Sequence, residues 1–187
     1  MKRLLLALCA ACLALGTGAQ QLNLPKKILR QRSYVRFVTK QMNVPVEGQF
    51  RSFDGKVTFD PVAPAATIAE FTVETGSIDL HNEEGETEAK RKLWLDVPGF
   101  PTAKFVTKSV KPLGGNRFEA TGTLTLKGTS IDVVAPFTVT DAHPLRTVEG
   151  QFPLKRLRFK VGEGPWSDTD TVADEVLVRF RFTVPIT

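Results

Sequence analysis

The chain has 187 residues, of which 42% are hydrophobic and 24% are charged, and its 25 basic and 20 acidic residues give a formal net charge of +5. A chain of this length can bury enough apolar surface to fold as one domain without disulfides or a structural metal. The two signs of charge are nearly balanced and no aromatic-plus-basic RNA-binding motif occurs, which argues against nucleic acid as a partner.

The first 19 residues are predicted to form a secretory signal peptide. Two basic residues precede an apolar run from Leu4 to Leu15, and small residues follow up to Ala19. This is the pattern of an exported protein with cleavage after about Ala19, and the run is too short for an ordinary membrane span. Both cysteines, Cys9 and Cys12, lie in this segment, which excludes disulfides, thiol catalysis and cysteine metal sites from the mature chain. A lipid anchor at either cysteine is the less favoured alternative.

The mature chain is predicted to begin with a leader, residues 20–32, that runs into a single domain spanning residues 33–187. From Ser33 onward, apolar and polar residues alternate in four segments, which is the pattern of half-buried strands. These predicted strands are Ser33–Lys40, Val44–Phe50, Lys56–Asp60 and Thr67–Thr75. A turn at Phe53-Asp54-Gly55 and breaks at Pro61 and Pro64 are predicted between them.

One helix is predicted, from Asn82 to about Leu95. Asn82 can cap it, acidic residues occupy its first turns and basic residues its last, which is the polarity that the helix dipole favours. Because the segment has few apolar residues, we expect it to lie on the surface of the fold rather than in the core.

The strongest pattern in the chain is Arg117 to Thr140. Alternation runs as far as Leu126 and resumes at Ile131, and Gly128 can take the positive φ of a turn, which predicts a long hairpin. Further strands are predicted at Thr102–Val110, Leu145–Phe152 and Val172–Pro185. A break in the apolar phase between Leu154 and Leu157 predicts a bulge near Arg156.

Strands that recur at short spacing, with one inserted helix and no strand–helix–strand alternation, predict an all-β, antiparallel fold. Long strands that each keep an apolar face suggest a sheet closed around an apolar interior. The residues predicted to face that interior are Val35, Phe37, Phe50, Phe59, Phe71, Phe105, Phe118, Gly122, Leu124, Leu126, Phe137, Phe180 and Phe182. The same alternation suits a packed core and a ligand cavity, so both remain open. Gly122 would leave the wall thin and so make room for a ligand.

Seven segments then occur in an order typical of one family. They are Val44–Phe50, Gly55–Pro61, Gly76–Asp79, Trp94–Val97, Phe100–Phe105, Gly122–Gly128 and Gly162–Trp166. In this order they resemble the YceI-like family of exported bacterial proteins, described as polyisoprenoid- or lipid-binding, over about residues 33–187. Each segment alone contains residues that are common in strands and turns. The resemblance is specific for the family because all seven segments occur in order.

The resemblance implies a lipocalin-like antiparallel barrel of about eight strands with a helix near one end, in a periplasmic protein. The interior would hold the apolar tail of an amphiphile such as a polyprenyl chain or an isoprenoid quinone. The chain departs from the family pattern at Lys40-Gln41, where many members have a basic residue and a histidine, and at Arg158-Phe159-Lys160, where a motif usually ends in Asp-Phe-Gly. Polar head-group contacts at those two places are therefore not carried over.

Three residues are predicted to lie at the head-group or entrance end. The resemblance places Arg156 where the family often has arginine, either binding an anionic head group or, as we favour, hydrogen-bonding backbone at the bulge. Trp94 and Trp166 lie on connecting segments, where large aromatic side chains plug or gate a barrel end. We favour the plug.

The predicted function is a lipid carrier that needs no cofactor beyond a bound isoprenoid lipid or quinone. Such a carrier is compatible with transient contact with a membrane surface. It is also compatible with either a monomer or a homodimer. A structural or interaction module with a filled barrel is the alternative. An enzyme is less favoured, because His81 and His143 are far apart in sequence, no metal site is predicted and no catalytic motif occurs.

Overall fold

The computed structural model of the protein describes residues 24–186, whose strands form one antiparallel sheet of eleven strands. The predicted signal peptide lies outside the described residues. The strands are β1 (Lys26–Lys27), β2 (Tyr34–Gln41), β3 (Val44–Phe50), β4 (Phe53–Thr58), β5 (Ile68–Glu74), β6 (Ile78–Asp79), β7 (Thr102–Gly114), β8 (Arg117–Leu126), β9 (Thr129–Ala142), β10 (Leu145–Lys155) and β11 (Glu175–Pro185). Their order in the sheet is β1-β4-β5-β7-β8-β9-β10-β11-β2-β3-β6.

The sheet curls into a barrel-like shape, which confirms the predicted all-β antiparallel class. The number of strands is eleven rather than about eight, partly because β1 and β6 are short pairings of two residues each. Residues after β1 help to close the curl: the Ile28 N–H donates to the Gly55 carbonyl of β4 (3.1 Å), and the Leu29 N–H donates to the Thr183 carbonyl of β11 (2.7 Å). The leader segment therefore contributes to the sheet from residue 26 onward.

The predicted hairpin is confirmed as β8 and β9. Leu124 pairs with Ile131 and Phe118 with Phe137, so the apolar residues of both strands share one face. A two-residue turn joins the strands, and both of its residues have positive φ, 47° at Lys127 and 71° at Gly128. Turns of this kind match the right-handed twist of the strands that they connect.

The predicted turn at Phe53-Asp54-Gly55 is wrong, because these residues lie inside β4, which pairs with β5. Gly55 allows close packing rather than forming a turn. A Cβ atom built there would lie 2.4 Å from Cδ1 of Phe71, so the missing side chain lets the Phe71 ring cross the strand. A glycine within a strand commonly marks this kind of close approach.

The helix, α1 (Glu83–Ala89), is shorter than predicted. It begins as expected, because the Asn82 side chain accepts a hydrogen bond from the Glu84 N–H at 3.1 Å. It ends at Ala89 because the chain turns back: the Leu95 N–H donates to the Ala89 carbonyl. That turn buries Leu95 against Ile78 and Phe159, and the gain from this packing outweighs the helical propensity of the residues after Ala89.

The predicted bulge near Arg156 is also wrong. Strand β10 continues to Lys155, and Arg156–Phe159 then form a short 3₁₀ helix that buries Arg156 and Phe159. The shift in apolar phase at Leu154 to Leu157 marks this change from strand to helix rather than an extra residue within a strand.

One end of the barrel is filled by aromatic side chains. The rings of Phe59, Phe118 and Phe137 contact each other with centroids 5.1 to 6.0 Å apart. Phe71 and Phe182, from β5 and β11, stack across the interior at 3.9 Å. The end next to α1 is hollow, and the candidate site lies there.

Candidate functional site

A chamber of about 960 Å³ occupies the α1 end of the barrel. Inward side chains of β2, β3, β8, β10 and β11 form its walls, and α1 with the residues around it covers one side. Gln41, Glu83 and Glu84 line the chamber and are also exposed, so the chamber reaches the surface between α1 and the β2–β3 hairpin. We call this volume the outer chamber.

A second volume of about 140 Å³ lies deeper in the barrel and is lined almost entirely by apolar atoms. Its lining includes Phe59, Ala120, Ala135 and Phe137. We call it the inner cavity. Six residues line both volumes, so the inner cavity and the outer chamber adjoin at a belt formed by Val35, Val73, Ala103, Leu124, Phe152 and Val178.

The structure places eleven of the thirteen predicted interior residues on the walls of these two volumes. Those that line the outer chamber, the inner cavity or both are Val35, Phe37, Phe50, Phe59, Phe71, Phe105, Leu124, Leu126, Phe137, Phe180 and Phe182. The interior is thus hollow at one end and packed at the other, and the alternation in the sequence does not distinguish the two. That these residues contact a ligand stays a prediction.

Two predicted lining residues are corrected. A Cβ atom at Gly122 would lie 2.3 Å from Cζ of Phe105 and 2.6 Å from the Val106 carbonyl oxygen, so the space beside Gly122 is filled by a ring rather than left for a ligand. Phe118 is 4% exposed and packs behind Phe59 and Phe137, which line the inner cavity, so that Phe118 does not line it itself.

Arg156 is predicted at the entrance, and the structure buries it with an exposed fraction of 2%. Nη1 donates to the carbonyls of Val161 and Gly162, both at 2.9 Å. Nη2 donates to those of Trp166 and Val172 at 2.6 and 2.7 Å, and Nε donates to that of Ala173 at 3.1 Å.

All five N–H donors of Arg156 are therefore used by backbone carbonyls. Burial lowers the pKa of the Arg156 guanidinium, and the charge of Asp174 nearby opposes that effect. The side chain organises the segment from Val161 to Ala173, as the favoured prediction had it, and has no donor left for a ligand.

Trp94 and Trp166 lie together beside Arg156. Their ring centroids are 5.4 Å apart, both side chains are half-buried, and both line the outer chamber. The Arg156 guanidinium lies 5.5 Å from the Trp94 ring centroid, within the range of a cation–π contact. The pair closes one side of the chamber, and the choice between plug and gate stays open.

The rim of the outer chamber is acidic. Glu83, Glu84 and Glu88 of α1 line it together with Arg91. Arg91 forms an ion pair with Glu88 at 2.9 Å, which leaves Glu83 and Glu84 as the unneutralised charges of this group. In the sequence, the helix dipole alone accounts for these acids; in the structure, they also line the opening of the outer chamber.

A buried carboxylate holds the chain that leads into α1. Asp79 is 2% exposed and accepts hydrogen bonds from Gln49 Nε2 (2.9 Å), Arg51 Nε (3.0 Å) and the His81 backbone N–H (3.1 Å). The hydrogen bonds from Gln49 and Arg51 keep the pKa of Asp79 well below its usual range. Two of the seven family-like segments, Val44–Phe50 and Gly76–Asp79, meet in this contact.

Several lining residues were not predicted from the sequence. Phe152 and Val178 lie in the belt at inward positions of alternating strands, so the period of two could have found them. Leu80 and Gly85 also line the outer chamber, and no periodicity marks them because they belong to the short segment around α1.

Two other kinds of site are not found within residues 24–186. No three His, Cys, Asp or Glu side chains of this part of the chain lie close enough together to hold a metal ion. No helix in the same range is long and apolar enough to cross a membrane.

Comparison with known proteins gives consistent matches. The model of the YceI-like domain family matches residues 27–184. The protein YceI of Salmonella newport is 33% identical over 132 residues, which cover 68% of this chain and 68% of that protein. The crystal structure of Burkholderia cenocepacia BcnA superposes with a TM-score of 0.82 at 40% identity, covering 83% of this chain and 98% of that one. A polyisoprenoid-binding domain from Saccharophagus degradans superposes with a TM-score of 0.70 at 12% identity, covering 87% of this chain and 98% of that one.

Proposed function

This chain belongs to the YceI-like family, and on that basis we propose that it binds a long-chain amphiphile of the isoprenoid type, with the apolar tail inside the barrel and the polar head at the rim of the outer chamber. The family match covers the whole barrel, including both volumes. The Saccharophagus degradans domain, which shares the fold, is described as polyisoprenoid-binding, and this supports the class of tail.

The outer chamber is the observation that carries the proposal. Its volume of about 960 Å³ lies at the upper end of the range of roughly 300–1,000 Å³ that is usual for small-molecule sites. Protein interiors are normally packed with few voids larger than a water molecule, so a scaffold with a filled core would not keep such a space. The proposal assigns no catalytic residue, because binding alone accounts for the chamber.

The tail is expected to supply most of the affinity. At about 0.8 kcal/mol for each buried methylene-sized group, one five-carbon isoprene unit contributes on the order of 4 kcal/mol. The cost of association is roughly 4 to 15 kcal/mol, so about four buried units offset even its upper bound. The tail of a chain with several units therefore supplies most of the affinity, and the polar head contributes a smaller difference.

The head group is expected to be uncharged, as in a quinone or a prenol. Arg156 has no free donor, and Glu83 and Glu84 at the rim repel a phosphate or pyrophosphate group. We also propose that the protein acts in the periplasm after export. Since an isoprenoid lipid resides in a membrane, loading requires transient contact between the rim and a membrane surface.

The test is extraction of lipid from the full-length protein purified from its own cells, followed by mass spectrometry. We expect a prenyl-type lipid from the wild type. Val176→Trp places a large ring in the outer chamber and should reduce lipid recovery, whereas Leu177→Trp, at the next residue on the opposite face of β11, should not. Wild-type protein that is repeatedly recovered empty, and that also refuses added polyprenol, would refute the proposal.

A further inference from the structure

Aromatic rings stand at the far end of the inner cavity. The rings of Phe59, Phe118 and Phe137 meet there, with Phe59 nearly perpendicular to Phe118 at 87°. Arg146 covers them from outside: its guanidinium lies 5.4 Å from the Phe59 ring centroid, and Nη1 donates to the Phe59 carbonyl at 2.9 Å. A chain that enters from the outer chamber and extends through the inner cavity would therefore meet these rings.

The wall just before the aromatic rings is built of small side chains. Ala120 of β8 and Ala135 of β9 are paired directly across the hairpin, are 8% and 4% exposed, and both line the inner cavity. Along the same face of β8, Phe118 stands at the aromatic end, and Leu124 stands in the belt beyond Gly122, where the Phe105 ring fills the space. The inner cavity is thus a distinct compartment, bounded by the belt on one side and by the aromatic rings on the other.

The two volumes can be expressed in isoprene units. An apolar protein cavity of about 150 Å³ accommodates one benzene molecule, and a five-carbon isoprene unit is of similar size. By that measure the inner cavity of about 140 Å³ holds one unit and the outer chamber of about 960 Å³ holds roughly six.

Building on the proposed function, we propose that the inner cavity is the subsite for the terminal isoprene unit and limits the bound tail to about seven units. Each added unit buries more apolar surface until the terminal one reaches the ring of Phe59. Any further unit stays in the mouth, in contact with water, and adds little to the affinity.

The experiment loads the purified full-length protein from an equimolar mixture of polyprenols of about four to nine isoprene units and measures the bound lengths by native mass spectrometry. In the wild type, the bound fraction should rise with length and level off near seven units. Ala135→Leu fills the inner cavity, so its plateau should come one unit earlier, and the ratio of seven-unit to five-unit lipid should fall by at least about tenfold.

Two further variants make the result decisive. Val134→Leu changes the neighbouring residue, which points outward and is 49% exposed, and should keep the wild-type distribution. Phe59→Leu replaces the ring at the end of the inner cavity by a smaller side chain. The bound fraction should then level off at a longer tail, which provides a test even if Ala135→Leu does not fold. The same distribution in Ala135→Leu or Phe59→Leu as in the wild type, or a uniform loss at every length, would overturn the length limit while leaving lipid binding intact. Absence of any bound polyprenol in the wild type would instead refute the proposed function.

Discussion

Substitution of Arg156 by lysine separates a structural role from binding of a head group. Arginine supplies five N–H donors to five carbonyls, whereas lysine has three donors on a single nitrogen atom. At least two buried carbonyls would therefore lose their partner, at about 1–3 kcal/mol each. We expect Arg156→Lys to lower the free energy of unfolding by roughly 2–6 kcal/mol.

The assay is thermal unfolding of the full-length protein at neutral pH. For a domain of this size, about 1 kcal/mol corresponds to a change of roughly 2–4 °C in Tm, so the midpoint should fall by at least about 4 °C. Arg158→Lys is the matched control, because Arg158 lies two residues further along and is exposed, and its Tm should stay within about 1 °C of the wild type. If Arg156→Lys kept the wild-type Tm and selectively lost binding of polyprenyl pyrophosphate, the reasoning would be wrong and Arg156 would be a head-group ligand.

Three further predictions concern the acidic rim, the buried carboxylate and the glycines. The double variant Glu83→Gln, Glu84→Gln should raise the affinity for polyprenyl phosphate relative to polyprenol, measured by competition at low salt. This gain in affinity should shrink at high salt because screening weakens the repulsion. Equal affinities in the variant and the wild type would contradict the electrostatic account. Asp79 has a depressed pKa, so its stabilising effect is present at pH values above its unfolded pKa of about 3.9 and is lost as the pH falls through its lower folded pKa. Asp79→Asn should therefore lower Tm at pH 7, and the difference from the wild type should narrow below about pH 4; a pH-independent difference would argue against this carboxylate. Gly122→Ala should lower Tm because its Cβ would lie 2.6 Å from the Val106 carbonyl oxygen. Gly85→Ala in α1, where the nearest atom is 3.4 Å away, should raise the free energy of unfolding by about 0.5–1 kcal/mol. The opposite order of stabilities in calorimetry would contradict the close packing at Gly122.

The strands were the part of this fold that periodicity could predict. The alternation of β8 and β9 determined the paired face and, with Gly128, the turn, because a one-residue slip would have moved every apolar side chain to the solvent. Gly55 was misassigned because a glycine can either form a turn or lie in a strand beneath a neighbouring ring. The position of the Phe71 ring, which the sequence does not show, distinguishes these two roles. The length of α1 was overestimated because the burial of Leu95, a tertiary contact, ends it.

The residues that form the walls of the site could be predicted from the sequence, but the presence of a cavity between them could not. Residues such as Phe37 and Phe137 have the same sequence pattern, yet one borders the outer chamber and the other lies at the packed end, because what fills the space between strands depends on residues far away in sequence. Lys127 shows the same limit for polar residues. In the sequence it belongs to a turn, whereas in the structure it is 7% exposed and donates to the Lys160 carbonyl at 2.6 Å and to Glu163 at 3.2 Å.

The position of β11 has a consequence for the order in which the chain folds. It is the last strand described, yet it lies inside the sheet between β10 and β2, where Arg181 pairs with Tyr34. Hairpins such as β8–β9 are local and can form early, but the pairing of β11 with β2 must close a loop that contains nearly all the other strands, and such non-local pairings form slowly. Until β11 docks, β2 and β10 each present an unpaired edge, so the partly folded chain carries two surfaces open to pairing with other chains. The slowest step of folding is therefore expected to be the one that closes the barrel and completes the cavity walls.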